Sequence, residues 1–191
     1  MKSSNDLKIK KDDFEKIIFI AGINHTSKRS AVWKKVLKEK FPNKELVFLD
    51  DVFYVYIEKN KIESIIKRAL EELKDNKKTI IIAHSYGGIL AKKIIQENSK
   101  QKRDNVVSLI TLVSPHSYDL FGLKQVKKDL GVSKNIKNKK IKIFTFGGYF
   151  DMVVPFSKTS LRNSIHKNLK TYHMAFLLSK KIVNKVLEIF E

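Results

Sequence analysis

The chain has no cysteine. This excludes disulfides, thiolate metal sites and a cysteine nucleophile. It has only three prolines and seven glycines in 191 residues, and no internal repeat or low-complexity linker interrupts it. No apolar run approaches the roughly 18 residues of a membrane span. The stretch IIFIAGI (17–23) is far shorter, and Asp12, Asp13 and Glu15 precede it, the wrong flank for a secretory leader. The expectation is a soluble, cytoplasmic protein. Acidic residues are also scarce: 20 Asp and Glu face 39 Lys and Arg, a net charge of +19. Only four of those cations are arginine (Arg29, Arg68, Arg103 and Arg162), and arginine is the residue suited to bidentate phosphate recognition. The lysines run the whole length instead of clustering, so no specific nucleic-acid partner is expected, only a weak attraction to anionic membranes.

The chain does have a hydrophobic fraction of 42%, enough for a buried core in one domain. Residues 1–15 read as a polar lead-in and 16–191 as the domain. Short β-branched runs at 16–23, 45–51, 78–84, 105–114 and 139–148 read as strands, with a possible sixth at 167–172. Between them, helical spacing of apolar residues marks 30–41, 62–76 and 86–98, and 174–190 reads as one closing helix. Alternating strands and helices imply an α/β fold: a mostly parallel sheet of about six strands between two helical layers. The run KTIIIAH is continuous instead of alternating, as in a strand buried on both faces. The segment 115–138 is long for a connection and reads as a possible lid or substrate loop.

The stretch TIIIAHSYGG (79–88) carries the chemistry. A buried strand ends on a serine, and small residues, Ala83 and Gly87, stand two before and two after it. A serine on a strained strand-to-helix bend needs small neighbours there, because larger side chains would collide. Ser85 is therefore the candidate nucleophile. A serine hydroxyl needs a base, and the base needs a carboxylate to hold its tautomer. In this scaffold the order is serine, acid, histidine. His173, after the last strand, is preferred over His116 and over His166, which reads as lying ahead of a strand on the opposite edge. Asp151 follows a strong strand and a Gly-Gly turn, and is preferred over Asp119 and Asp129. Asp50 and Asp51 precede the serine. The backbone N–H groups of Ile23 and Tyr86 are the candidate oxyanion donors, with Gly22 allowing close approach. Asn24, His84, His116 and Tyr118 are expected to border the substrate. Phe53, Tyr54, Phe121, Phe150 and Phe156 are candidates for apolar walls. The reading needs no cofactor and no metal.

These residues resemble those of the α/β-hydrolases, in particular the minimal lipases. IIAHSYGG resembles the lipase elbow, and ITLVSPH resembles the strand and loop that follow it. GGYFDMVVPFSKTSL looks like the Gly-Gly-aromatic-x-Asp-x-x-Val segment of the lipase-like GPI inositol-deacylases, and FIAGINHTSKRS is loosely similar to their oxyanion loop. The resemblance covers about residues 16–190 and implies Ser85 as nucleophile, Asp151 as acid and His173 as base. The chain departs from the pattern at Ala21, where lipases commonly place His or Pro, at Ala83, in place of the usual elbow glycine, and in having no membrane span. The expected activity is hydrolysis of a carboxylic ester through an acyl-enzyme, on a small-molecule or lipid ester. A thioesterase or amidase with the same triad, and a non-catalytic basic domain binding anionic membrane or nucleic acid, are the alternatives.

Overall fold

A computed structural model describes residues 8–23, 27–50, 59–117, 128, 130–133 and 135–191. The order of elements is β1 (Lys16–Ile20), α1 (Ala31–Lys40), β2 (Glu45–Leu49), α2 (Lys59–Glu72), β3 (Thr79–His84), α3 (Gly87–Lys100), β4 (Val106–Leu112), β5 (Lys142–Gly148) and β6 (Ile165–Leu169), then short helices at Ala175–Leu178 and Lys180–Val186. The six strands form one sheet in the order β2-β1-β3-β4-β5-β6, and every pair is parallel.

Side chains alternate across a strand, so each strand feeds both faces of the sheet. Ile18, Ile20, Ile81 and Ala83 pack with the apolar faces of α2 and α3. Ile17, Phe19, Ile80 and Ile82 pack on the other face with α1 and the C-terminal helices. This double cover is why β1 and β3 are apolar at every interior position, and it makes the expected three-layer α/β arrangement. On the α1 side the buried Trp33 donates its indole N–H to the carbonyl of Phe176 at 2.7 Å. That bond ties α1 to the segment just after His173.

Three local expectations are corrected. The sixth strand begins two residues earlier than 167–172, so His166 lies within it, opposite Thr145, and not ahead of it. The closing helix is not continuous: Ser179 is extended and its side chain caps a new helix by accepting from the N–H of Ile182. The polar N-terminal segment reaches the core, with Ile9 and Phe14 buried and Ile9 bridged to Phe190. The apolar stretch 52–57 lies outside the described residues, as do 118–127 of the possible lid. Among the described residues, no helix is long and apolar enough to cross a membrane.

The amino edge of the sheet is electrostatic. Lys16 is almost fully buried, and its ammonium lies 2.7 Å from Asp75 and 3.0 Å from Glu45. Burial pulls this lysine's pKa down, but the hydrogen bonds and charges of Asp75 and Glu45 outweigh that and hold it above its ordinary value. Burial likewise pushes Asp75 up, and Lys16 and the Lys77 N–H more than offset it, leaving Asp75 depressed. A carboxylate depressed in the folded state stabilises above its unfolded pKa, and that contribution is lost as pH falls through the folded value. The acid limb of stability should therefore begin near the ordinary Asp value of 3.8 and continue below it. Lys16→Met should flatten this limb, read as the thermal midpoint against pH. An unchanged limb would show that the Lys16–Asp75 pair contributes nothing to it.

Candidate active site

In the strand order, β1 connects outward to β2 and β3 connects outward to β4. Their carboxyl ends therefore flank the point where the winding reverses, and ligands of open α/β sheets bind there. Ser85 stands immediately after β3. Its φ is +53°, in the left-handed region that a side chain occupies only under strain. Among the described residues, three of the other non-glycine residues with positive φ, Asn76, Lys102 and Asn163, lie in exposed turns. The fifth, the buried Val113, follows β4 on the same edge as Ser85. The bend is held from both sides. The Ser85 N–H donates to the Leu112 carbonyl at 2.8 Å. At Gly87 any Cβ would lie 2.4 Å from the Ile20 carbonyl, so α3 starts flush against β1 only because this residue is glycine.

The loop after β1 lies directly on the serine. A Cβ on Gly22 would come within 2.8 Å of Ser85 Cβ and 3.0 Å of the His84 carbonyl. Among the described residues, neither the N–H of Ile23 nor that of Tyr86 donates to a protein acceptor. Both are thus available to a ligand atom, Tyr86 at the start of α3, where the positive end of the helix dipole adds to the attraction for an oxyanion. Gly22→Ala should force this loop away from Ser85. The expected result is a fall in kcat of about 10²–10³-fold with a smaller change in KM. Unchanged kcat would mean that the loop has no part in the reaction.

Asp151 and His173 meet. His173 Nδ1 lies 2.8 Å from Asp151 Oδ2, and both residues are buried. The other carboxylate oxygen, Oδ1, accepts from the N–H groups of Val153 and Val154, each at 2.8 Å. One side chain thus folds its own turn and orients the imidazole. His84, next to the serine in sequence, contacts the same histidine: the two rings stand edge to face at 4.9 Å, and His84 Nε2 lies 3.4 Å from the His173 carbonyl. Among the described residues, Ser85 Oγ has no hydrogen bond to the His173 ring. In ligand-free sites such bonds are often long and tighten only with substrate.

The remaining candidates separate. The His84 ring packs against that of His173. His116 turns its Nε2 to Thr111 Oγ1 at 3.1 Å. His166 is bonded to Thr145 at 2.8 Å and Asn168 at 2.9 Å, away from the serine. Asp50 is held by Ser30 and by Lys34. Phe150 and Phe156 face solvent, 66% and 38% exposed. Asn24, Phe53, Tyr54, Tyr118, Asp119, Phe121 and Asp129 lie outside the described residues. Nothing in the sequence pattern marks the contact of His84 with His173 beyond its place one residue before the serine.

Residues 47–185 match the family model described as the PGAP1-like alpha/beta domain. The chain belongs to that family. Solved structures with the same fold include the Paleococcus ferrophilus monoacylglycerol lipase, 12% identical, with 91% of each chain covered and a TM-score of 0.59. The RedJ thioesterase of the Streptomyces coelicolor prodiginine pathway is 14% identical, with 91% of this chain and 88% of that one covered and a TM-score of 0.59. MGS-MChE2, an alpha/beta hydrolase from a Mar Chica lagoon sediment metagenome, is 14% identical, with 92% and 89% covered and a TM-score of 0.59. Among curated proteins none matches significantly. At these identities the likeness is one of fold: this PGAP1-like domain has the fold of the α/β-hydrolases.

Proposed function

We propose that the protein is a serine hydrolase acting on carboxylic esters, with Ser85 as nucleophile, His173 as base and Asp151 as the orienting acid. The observation that carries this reading is the buried Asp151–His173 pair, 2.8 Å apart, on the carboxyl edge where the strained serine stands. With its Nδ1–H donated to Asp151, the imidazole presents an unprotonated Nε2. Ser85 Oγ attacks the ester carbonyl as its proton passes to that nitrogen. The carbonyl electrons move onto oxygen, which the N–H groups of Ile23 and Tyr86 receive. Collapse expels the alcohol, which takes the proton from His173, and leaves Ser85 acylated. Water, deprotonated by the same nitrogen, attacks the acyl-enzyme; carboxylic acid departs and Ser85 recovers its proton.

Leaving-group preference is tested by comparing p-nitrophenyl esters of short and long acyl chains with the matching thioesters and anilides. The expected order is esters over thioesters over anilides in kcat/KM. Faster thioester turnover would move the assignment to a thioesterase with the same triad. No turnover of any acyl donor would overturn the hydrolase reading.

A further inference from the structure

The turn that carries Asp151 presents a surface that acyl transfer does not require. Among the described residues, all the large hydrophobic side chains classed as exposed lie between positions 149 and 178. Five of them, Tyr149, Phe150, Met152, Val153 and Phe156, fall in one eight-residue stretch after β5, and Tyr172 faces solvent from the neighbouring loop. Single exposed apolar residues are ordinary on a protein surface; a contiguous group is not. This group is contiguous. The rings of Tyr149 and Phe156 lie 5.0 Å apart, and the Phe150 N–H bonds to the carbonyl of Thr171, the residue before Tyr172, at 3.0 Å. It is also held firmly. The Oδ1 of Asp151 fixes the turn through the N–H groups of Val153 and Val154, and this turn pushes Met152 out to 98% exposure.

Within this stretch of chain the exposed charge is of one sign. From 149 to 173 the only acidic residue is Asp151, which is buried and committed to His173. Lys158, Lys167 and Lys170 are exposed in the same span. A second copy of a chain with net charge +19 would be repelled from this face. An anionic bilayer complements it. Phenylalanine and methionine tips enter the acyl boundary, tyrosines sit at headgroup depth, and lysines reach the lipid phosphates.

We propose that the connection after β5, with Tyr172, is a docking face for an anionic lipid surface, setting the Ser85 edge against the membrane. The docking itself stands on exposure and charge alone. Its consequence, that the ester hydrolysed is presented by a lipid surface, rests on the proposed serine hydrolase reading.

The test uses the full chain with sedimented vesicles of phosphatidylcholine alone and of phosphatidylcholine with phosphatidylserine. Binding is expected on the anionic vesicles and to be weaker by about tenfold or more on the neutral ones. Met152→Ser should weaken anionic binding by about tenfold. Lys158→Glu with Lys170→Glu should weaken it at least as much. These variants should keep the wild-type thermal midpoint, fluorophosphonate labelling and turnover of a water-soluble short ester. Absence of vesicle binding with labelling intact overturns the docking face and leaves the hydrolase reading standing. Binding without labelling does the reverse. Anionic binding that Met152→Ser does not alter would reduce the effect to general attraction by the lysine coat and overturn the proposal. So would a dimer in sedimentation velocity that Met152→Ser dissolves, which would assign the face to a second copy, or retention by an acidic protein surface without any affinity for vesicles.

Discussion

Ser85→Ala is expected to lower ester turnover by about 10⁶-fold while leaving the fold intact. The loss is large because the acyl bond is formed to Ser85 Oγ itself. The backbone donors and bound water then supply only residual catalysis. The mutation removes one oxygen from a partly buried side chain and creates no contact. A second variant separates chemistry from backbone strain. At φ +53° both serine and alanine are strained, whereas glycine is not. Ser85→Gly should therefore be equally inactive yet more stable than Ser85→Ala by about 1 kcal/mol, read from denaturant midpoints at equal m-values. Equal stability of the two variants would argue that the bend stores no strain. Retained turnover in both would remove Ser85 from the mechanism.

Asp151→Asn should lower kcat by about 10⁴-fold with little loss of stability. The two carboxylate oxygens have separate partners. Oδ1 accepts from two backbone N–H groups, and Oδ2 faces His173 Nδ1. An asparagine keeps its carbonyl oxygen on the backbone and so turns its NH₂ toward the imidazole. That donor admits only an unprotonated Nδ1, which moves the histidine proton to Nε2, where the serine proton has to go. Asp151→Ala loses both functions. It should be about as inactive and also less stable by about 1–3 kcal/mol, since two N–H groups lose their acceptor. A kcat near wild type in Asp151→Asn would mean that the pair is structural and that another carboxylate orients the base.

The strand, bend and turn that carry the candidate residues are legible in the sequence because each is marked by more than one signal. The run TIIIAH can only be a strand covered on both faces. Small residues two before and two after Ser85 mark a tight bend, and Gly87 also lets α3 start against β1. Gly147 and Gly148 before Asp151 mark a turn at the end of a strong strand, and His173 is the histidine that follows the last strand. Other elements carry only a single weak signal. Ile165–Leu169 is an edge strand of half-buried, mostly polar residues, so its hydrophobic pattern does not fix its start. The periodicity of 174–190 runs on through Ser179, yet that hydroxyl starts a new helix, a competition between side chain and backbone that apolar spacing does not report. Ile9 and Phe14 are isolated among charged residues, and nothing local reveals that they complete the core beside Phe190. The exposure of Phe150 and Phe156 escapes a sequence reading for a related reason: hydrophobicity signals contact with something apolar and does not say whether that lies inside the protein.

The most direct measurement is intact-mass analysis and peptide mapping after treatment with a fluorophosphonate, with ester turnover followed in the same sample. The account predicts one adduct per chain, on the peptide containing Ser85, and loss of turnover in step with its formation. An adduct confined to another serine, such as Ser114 or Ser117, or hydrolysis that continues while Ser85 is fully modified, would contradict it.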